Sequence, residues 1–305
     1  MSTHFKKGDK MEQVTDRKEM MQKLRVLAAE IRLETLKIIA SRGFGHVGGS
    51  MSLADAMAVL YGAVMHVDPK NPRMEGRDWF VLSKGHGGPV MYATLGLKGY
   101  YPPEQAYTLN HPHTDFPSHT DRNKTPGVDL TTGSQGQGIS EAVGAALGLK
   151  KQKKEGRVYV AVGDGECDEG QVWEAAQFAV HYHLDNLTCL VDNNGRQLDG
   201  TTAEVMGHGK GIGAKFDAFG WSVINLPDGN DVEAIYDALQ TAKQTKGIPT
   251  CLILNTVKGK GATFAEPTGA HSSQPKPEEW KEAIEASEQE LAAIRAGQQE
   301  RGKQA

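Results

Sequence analysis

Two spacings of apolar residues take turns along this chain. Over residues 17–41, Leu24, Leu27, Ala28, Ile31 and Ile38 recur at helical spacing and form one buried stripe. A second helix is expected around 52–65. Continuous apolar runs at 79–83 (WFVLS), 158–162, 187–192, 221–226 and 250–257 predict short strands buried on both faces. Between them, residues 170–184 place Val172, Trp173, Ala176, Ala179 and Val180 on one helical face, and a further helix is expected near 230–244. The helix around 136–152 carries Gly138, Gly144 and Gly148, each costing about 1 kcal/mol relative to Ala, so close packing is expected to offset them.

Strands alternating with helices predict an α/β fold, a doubly wound, mainly parallel sheet with helices on both faces. One domain over 17–275 is expected, preceded by a flexible segment 1–16 and followed by a C-terminal helix and tail at 276–305 that frays in GQQERGKQA. No internal repeat or low-complexity linker interrupts it.

Composition narrows the picture by exclusion. A formal charge of −4 over 305 residues offers no basic footprint for nucleic acid. Cys167, Cys189 and Cys251 are dispersed without CxxC spacing, which fits a reducing compartment better than a disulfide framework. The first twenty residues are polar, without the apolar core of a signal peptide, and no stretch approaches ~18 consecutive apolar residues. A cytoplasmic protein with no membrane partner is the expectation.

The chemistry gathers at strand ends. Asp164 lies in the GDG that closes the run RVYVAVGDG, and the next run, LTCLVDNN, ends in Asn193 and Asn194. In a βαβ unit two such strands lie parallel and side by side, so a carboxylate and an amide converge on one crevice. That crevice would suit Mg²⁺, which takes oxygen ligands at roughly 2.0–2.1 Å and shares them with water and phosphates. The glycines of GDGECDEG admit a bulky anion to the backbone, and the following helix offers its positive end. An ordinary Asn194-Gly195 hairpin turn is the bland alternative.

Other segments carry candidate side chains. GFGHVG at 43–48 satisfies G-x-G-x-x-G, but a helix precedes it where a dinucleotide site needs a strand, so it reads as a tight loop presenting His46. His86, in LSKGHGGP, directly follows the WFVLS strand and has glycines on both sides. TTGSQGQGIS at 131–140 is a glycine-rich loop opening a helix, with Ser134 as the expected N-cap. HPHTDFPSH at 111–119 packs His111, His113, Asp115 and His119 into nine residues. It is the competing zinc-hydrolase reading, weakened by its prolines and by the lack of an i, i+4 histidine pair. His271, in EPTGAHSS, sits in a loop after the last strand and by itself means little.

Taken in order, GHVGGSMS (45–52), FVLSKGHGGP (80–89), SHTDRNKTPGVDLTTGSQGQG (118–138), GDGECDEGQVWEA (163–175) and VDNNGRQLDG (191–200) resemble transketolase, specifically the N-terminal subunit of split, two-chain transketolases. The resemblance runs from about residue 20 to about 271. It implies thiamine diphosphate held through Mg²⁺ (or Ca²⁺ or Mn²⁺), with Asp164, the Asn194 side chain and the Arg196 carbonyl as metal ligands. It further implies that Gly133, Ser134, Gln135 and Gly165 line the cofactor and that His86 contacts its diphosphate. His46 and His119 would face the thiazolium and the donor sugar, His271 would be the substrate-channel histidine despite poorly matching flanks, and Glu169 would bridge to the catalytic glutamate of the other half. Gln135 departs from the apolar residue many relatives carry, and Arg196 brings a cation beside the metal loop.

The implied activity is reversible transfer of a two-carbon ketol unit from a ketose to an aldose. The roughly 30 residues after His271 leave no room for the family's pyrimidine-binding domain. A C-terminal partner subunit that carries this domain and completes the site is therefore implied, in an α2β2 heterotetramer acting on small-molecule sugars. The α subunit of a 2-oxo acid dehydrogenase is the alternative within thiamine chemistry, and a non-catalytic cofactor-binding regulator is a third reading.

Overall fold

A computed structural model describes the backbone of residues 7–302 and the side-chain burial of 16–297. Five strands, β1 (Trp79–Leu82), β2 (Val158–Gly163), β3 (Leu187–Asp192), β4 (Ser222–Leu226) and β5 (Thr250–Leu254), form one sheet in the order β1-β2-β3-β5-β4. Every pairing is parallel. Apolar runs without polar alternation produce strands covered on both sides, and β2 shows it: Tyr159 and Ala161 enter one core, Val158, Val160 and Val162 the other.

Helices α1 (Lys7–Arg42), α3 (Ala54–Val59), α4 (Gly88–Lys98) and α9 (Val232–Gln244) build the first core, while α5 (Gln137–Lys151), α6 (Gly170–His181) and α8 (Ile212–Phe219) build the second. The short α2 (Val47–Met51) and the long C-terminal α10 (Pro277–Gly302) pack beside α1, and α7 (Thr202–Val205) is a single capped turn. Edge strand β1 is closed by side chains: Asp129 accepts from Phe80 N at 2.8 Å and Thr132 Oγ1 donates to Leu82 O at 2.6 Å. That blunts the unpaired edge.

Several boundaries differ from the periodicity. Helix α1 begins at Lys7, so the expected flexible segment is helical from there and residues 1–6 lie outside the described residues. KGDKMEQVTD lacks an apolar stripe but, Gly8 apart, holds nothing that strongly opposes a helix. Likewise α10 continues through GQQERG to Gly302, with 303–305 outside the described residues. The helix expected at 52–65 starts at Val47, breaks near Ser52 and ends in a π-turn at Leu60–Val64. Val47–Val64 is apolar and long enough to cross a membrane, yet 89% of it is buried inside the fold. Helices α4 and α8 are additions: α4 is apolar nearly all round, which hides the stripe by which a surface helix is recognised.

Candidate active site

The loops leaving β1, β2, β3 and β5 at their carboxyl ends surround a cavity of about 340 Å³ lined by Lys84, His86, Asp164, Asn194, Lys258 and His271, among others. Its floor follows from strand register. Gly163 pairs with Asp192, so Asp164 and the 193–196 loop emerge side by side, and Gly195 N donates to Asp164 Oδ2 at 2.6 Å. Gly165 N donates to the other carboxylate oxygen at 2.9 Å. Burial, and then the nearby Asp192, push the Asp164 carboxyl up to about 6.

Asp192 organises the floor from below. Wholly buried, it accepts from Lys84 Nζ, from Ser52 Oγ at 2.7 Å, from Thr256 Oγ1 and from Asn194 Nδ2 at 3.2 Å. Burial opposes its charge, but Lys84 and the hydroxyl donors outweigh burial and hold the carboxyl below its ordinary range. Because the Asn194 amide nitrogen is committed to Asp192, its oxygen is left as acceptor, and Arg196 N reaches it at 3.2 Å. The Arg196 carbonyl in turn accepts from Lys258 Nζ at 2.9 Å.

These donors fit a hard divalent cation. Asp164, Asn194 and the Arg196 carbonyl offer only oxygen, and an ammonium group already sits at one of the three. Burial lowers Lys258 to about 8, with Asp164 opposing that shift. A lysine and a carboxylate buried at the mouth of β-strands give the cavity both signs of charge, as a metal bound to a polyanion requires.

Above the floor three histidines converge. The His46 ring lies 5.6 Å from His86 and 5.4 Å from His271, and His86 and His271 are 4.7 Å apart. His119 joins from the side, 6.0 Å from His46. Glycines allow the approach: a Cβ on Gly49 would lie 2.8 Å from His86 Nε2, and one on Gly48 would meet the Ala270 carbonyl at 2.1 Å. Gly45 and Ser273 form an antiparallel bridge that ties the His46 loop to the His271 loop. Burial lowers all three proton affinities: His86 falls far below its usual value with Lys84 adding to the effect, His46 falls with His119 adding, and His271 drops to about 4 with Lys258 adding. All three are neutral near pH 7.

The glycine-rich loop closes the remaining wall. Gln135 lines the cavity, while a Cβ on Gly133 would meet His119 Cβ at ordinary contact distance, 3.6 Å. A Cβ on Gly85 would sit 2.9 Å from Gly133. Ser134 is not the N-cap of α5. Gly136 takes that place at φ +79°, a conformation that side chains resist, and Ser134 contributes only its carbonyl to Gln137 N at 3.3 Å. Buried Glu166 pins the loop: its carboxylate accepts from Ser83 Oγ at 2.5 Å, Gly136 N at 2.8 Å and Gly163 N at 2.9 Å. Gly165 lies against Gln197, and Glu169 is exposed at the N-terminus of α6. The Arg196 side chain turns from the floor onto Gly269.

Periodicity and motifs do not single out Lys84, Asp192, Lys258 or Glu166. Each is a charged residue at, or within a few positions of, the end of an apolar strand, and that signal was available. The zinc reading of 111–119 is not supported: among the described residues no three His, Cys, Asp or Glu side chains cluster to hold a metal, and His111 and His113 are exposed. Phe116 anchors the segment in the core, and Asn110 Oδ1 accepts from Ser118 N at 2.8 Å, closing the loop on its own ends.

A parallel α/β sheet with an oxygen-rich floor and a histidine wall at its carboxyl edge has the form of an α/β enzyme's ligand site. The family described as "Transketolase, thiamine diphosphate binding domain" matches residues 22–291. The chain belongs to this transketolase family. It is 47% identical over 263 residues, 86% of its length, to the 6-deoxy-6-sulfo-D-fructose transketolase subunit SqwG of Clostridium sp. (strain MSTE9), covering 95% of that protein. Identity to an apulose-4-phosphate transketolase subunit of Actinobacillus succinogenes is 38% over 242 residues, covering 79% of this chain and 87% of that one. The structure of Pichia stipitis transketolase with sedoheptulose-7-phosphate superposes with a TM-score of 0.79 at 28% identity, covering 93% of this chain but 46% of that one. The chain thus spans nearly the whole of the separate subunits and under half of the single-chain enzyme.

Proposed function

We propose that this chain is the diphosphate-binding subunit of a two-chain transketolase that moves a two-carbon ketol unit from an anionic ketose to an aldose. The observation that carries this is the meeting of His46, His86 and His271 above a floor of Asp164, Asn194 and the Arg196 carbonyl. Asp164, the Asn194 amide oxygen and that carbonyl would hold Mg²⁺, and Gly133, Ser134, Gln135, Gly165 and His86 would receive thiamine diphosphate.

When bound, the cofactor supplies the nucleophilic carbon and the electron sink for cleaving a carbon–carbon bond. The chain's own residues bind and move protons. His46 and His271, neutral near pH 7, are able to accept a proton from a ketose hydroxyl and return it to an acceptor aldehyde oxygen, assistance worth about 10²–10⁴-fold. His119, more exposed, would hydrogen-bond the sugar. Lys258, with the Lys84–Asp192 pair behind it, would offset diphosphate charge. Glu169, exposed yet part of the cavity lining beside the glycine-rich loop, would be met there by a partner carrying the pyrimidine-binding domain in an α2β2 assembly. Two relatives that are themselves transketolase subunits support a partner, and the sulfosugar and sugar phosphate in their names support an anionic ketose.

The test is calorimetry with thiamine diphosphate and Mg²⁺ on the mixed subunits, alongside a ketose turnover assay. Binding that Asp164→Ala abolishes, and turnover only when both chains are present, is expected. Ketose turnover by this chain alone, or cofactor binding unaffected by Asp164→Ala, would overturn the proposal.

A further inference from the structure

Arg196 contributes two different things to the site. Its carbonyl faces the floor and accepts from Lys258, while its side chain leaves in another direction. The stem lies flat on Gly269: a Cβ there would be 2.8 Å from Arg196 Nε and 2.9 Å from its Cδ. Gly269, at φ +60°, thus supplies both the backbone turn and the bare surface that the stem needs. Backbone pairing of Arg196 with Thr201 holds the other side of the loop.

Among the described residues Arg196 enters no salt bridge, whereas Lys84 is committed to Asp192 and Arg32 to Asp55. Glu204, close enough to feel the Arg196 charge, turns one oxygen, Oε2, to the hydroxyl and N–H of Thr201 and makes no ion pair with the guanidinium. Arg196 is exposed on the rim of the cavity, and the glycine that supports its stem stands in the same loop as His271. A preorganised, solvent-facing guanidinium beside a neutral histidine wall is suited to a tetrahedral oxyanion, which it grips with a planar fork of N–H donors.

We infer that Arg196 is a specificity-determining residue that reads the anionic end group, phosphate or sulfonate, of the donor ketose. This rests on the proposed function and adds to it a recognition group from this chain. The cofactor's diphosphate is the rival anion; Lys258 and His86, less exposed than Arg196 in the same cavity, would receive it. Because the metal-facing group is the carbonyl, exchanging the side chain leaves that donor chemically intact.

The experiment uses the assembled two-chain enzyme. For wild type, Arg196→Met and Arg196→Lys, kcat/KM is measured with fructose 6-phosphate, with its 6-sulfonate counterpart and with neutral erythrulose, and thiamine diphosphate affinity is measured by calorimetry. In Arg196→Met the ratio of anionic to neutral donor is expected to fall on the order of tenfold to a hundredfold, through KM, with Arg196→Lys intermediate. The sulfonate and phosphate arms show which end group the guanidinium favours. An unmoved ratio overturns the inference, as does an equal loss for all donors or a loss confined to cofactor affinity. If wild type turns over no ketose, the proposed function fails and this inference with it; an active wild type with an unmoved ratio fails the inference alone.

Discussion

Lys84 and Asp192 form an ion pair shut away from solvent, their side chains 1% and 0% exposed, directly beneath the histidine cleft. Removing one partner from such a pair strands a buried charge, at about 3–5 kcal/mol. Lys84→Met is therefore expected to lower the unfolding free energy of the isolated chain by that amount in urea at pH 7. Lys84→Met combined with Asp192→Asn removes the stranded charge and should recover at least half of the loss. No recovery in the double variant would show that Lys84 acts through packing alone.

The glycines of α5 separate into two kinds. A Cβ on Gly138 would lie 2.6 Å from Ser83 Cα and 2.7 Å from its hydroxyl, whereas one on Gly144 would meet nothing within 4 Å. Gly138→Ala is expected to destabilise the chain by about 1–3 kcal/mol through overpacking. Gly144→Ala should stabilise it by roughly 0.5–1 kcal/mol through helix propensity. Thermal unfolding of the two variants checks this, and matching signs would refute it.

That contrast marks where the sequence stops being informative. Close packing is the expectation for all three glycines of the helix, and of Gly138, Gly144 and Gly148 only Gly138 meets a neighbour. The crevice between Asp164 and Asn194 is legible because parallel strands with continuous apolar runs leave little freedom in register. Convergence of His46, His86 and His271 is not legible from periodicity, since they sit on loops far apart in the chain; motif order carries it. The buried charges Lys84, Asp192 and Lys258 stay hidden because a lysine or aspartate shows its burial only when its partner is in place, 108 residues away for Lys84 and 62 for Lys258. Ser134 loses the expected cap position to a left-handed glycine, a choice that depends on how the loop meets Glu166.

His271 makes stability sensitive to acid. Its ordinary value is 6.5, and burial, with Lys258 and His46 adding, lowers it to about 4 in the fold. Between those values the unfolded chain binds a proton that the folded chain refuses. Stability from the neutral ring is thus fully present above pH 6.5 and is lost as pH falls toward 4, at no more than about 1.4 kcal/mol per pH unit. His86 acts in the same sense. Urea unfolding from about pH 7 to about 4.5 should show a shallower loss in His271→Gln than in wild type, and parallel profiles would sink the assignment.

Asp164 has the opposite sign. Burial and Asp192 raise its carboxyl to about 6, so in the cofactor-free chain the folded state holds a proton that the unfolded state has released, and this group's contribution falls as pH rises from about 4 through 6. A divalent cation reverses the relation, because it needs the carboxylate and competes with the proton for it. Below about pH 6 the affinity for Mg²⁺ with thiamine diphosphate should drop by up to about tenfold per pH unit, and above it should level off. Since a ligand that binds only the folded state stabilises it by RT ln(1 + [L]/Kd), the rise in melting temperature on adding both should be small near pH 5 and reach a plateau by about pH 7. Asp164→Ala should show no rise attributable to the metal at any pH. A wild-type thermal shift as large at the acid end as at neutrality would mean that the carboxylate of Asp164 is not the group that holds the cation.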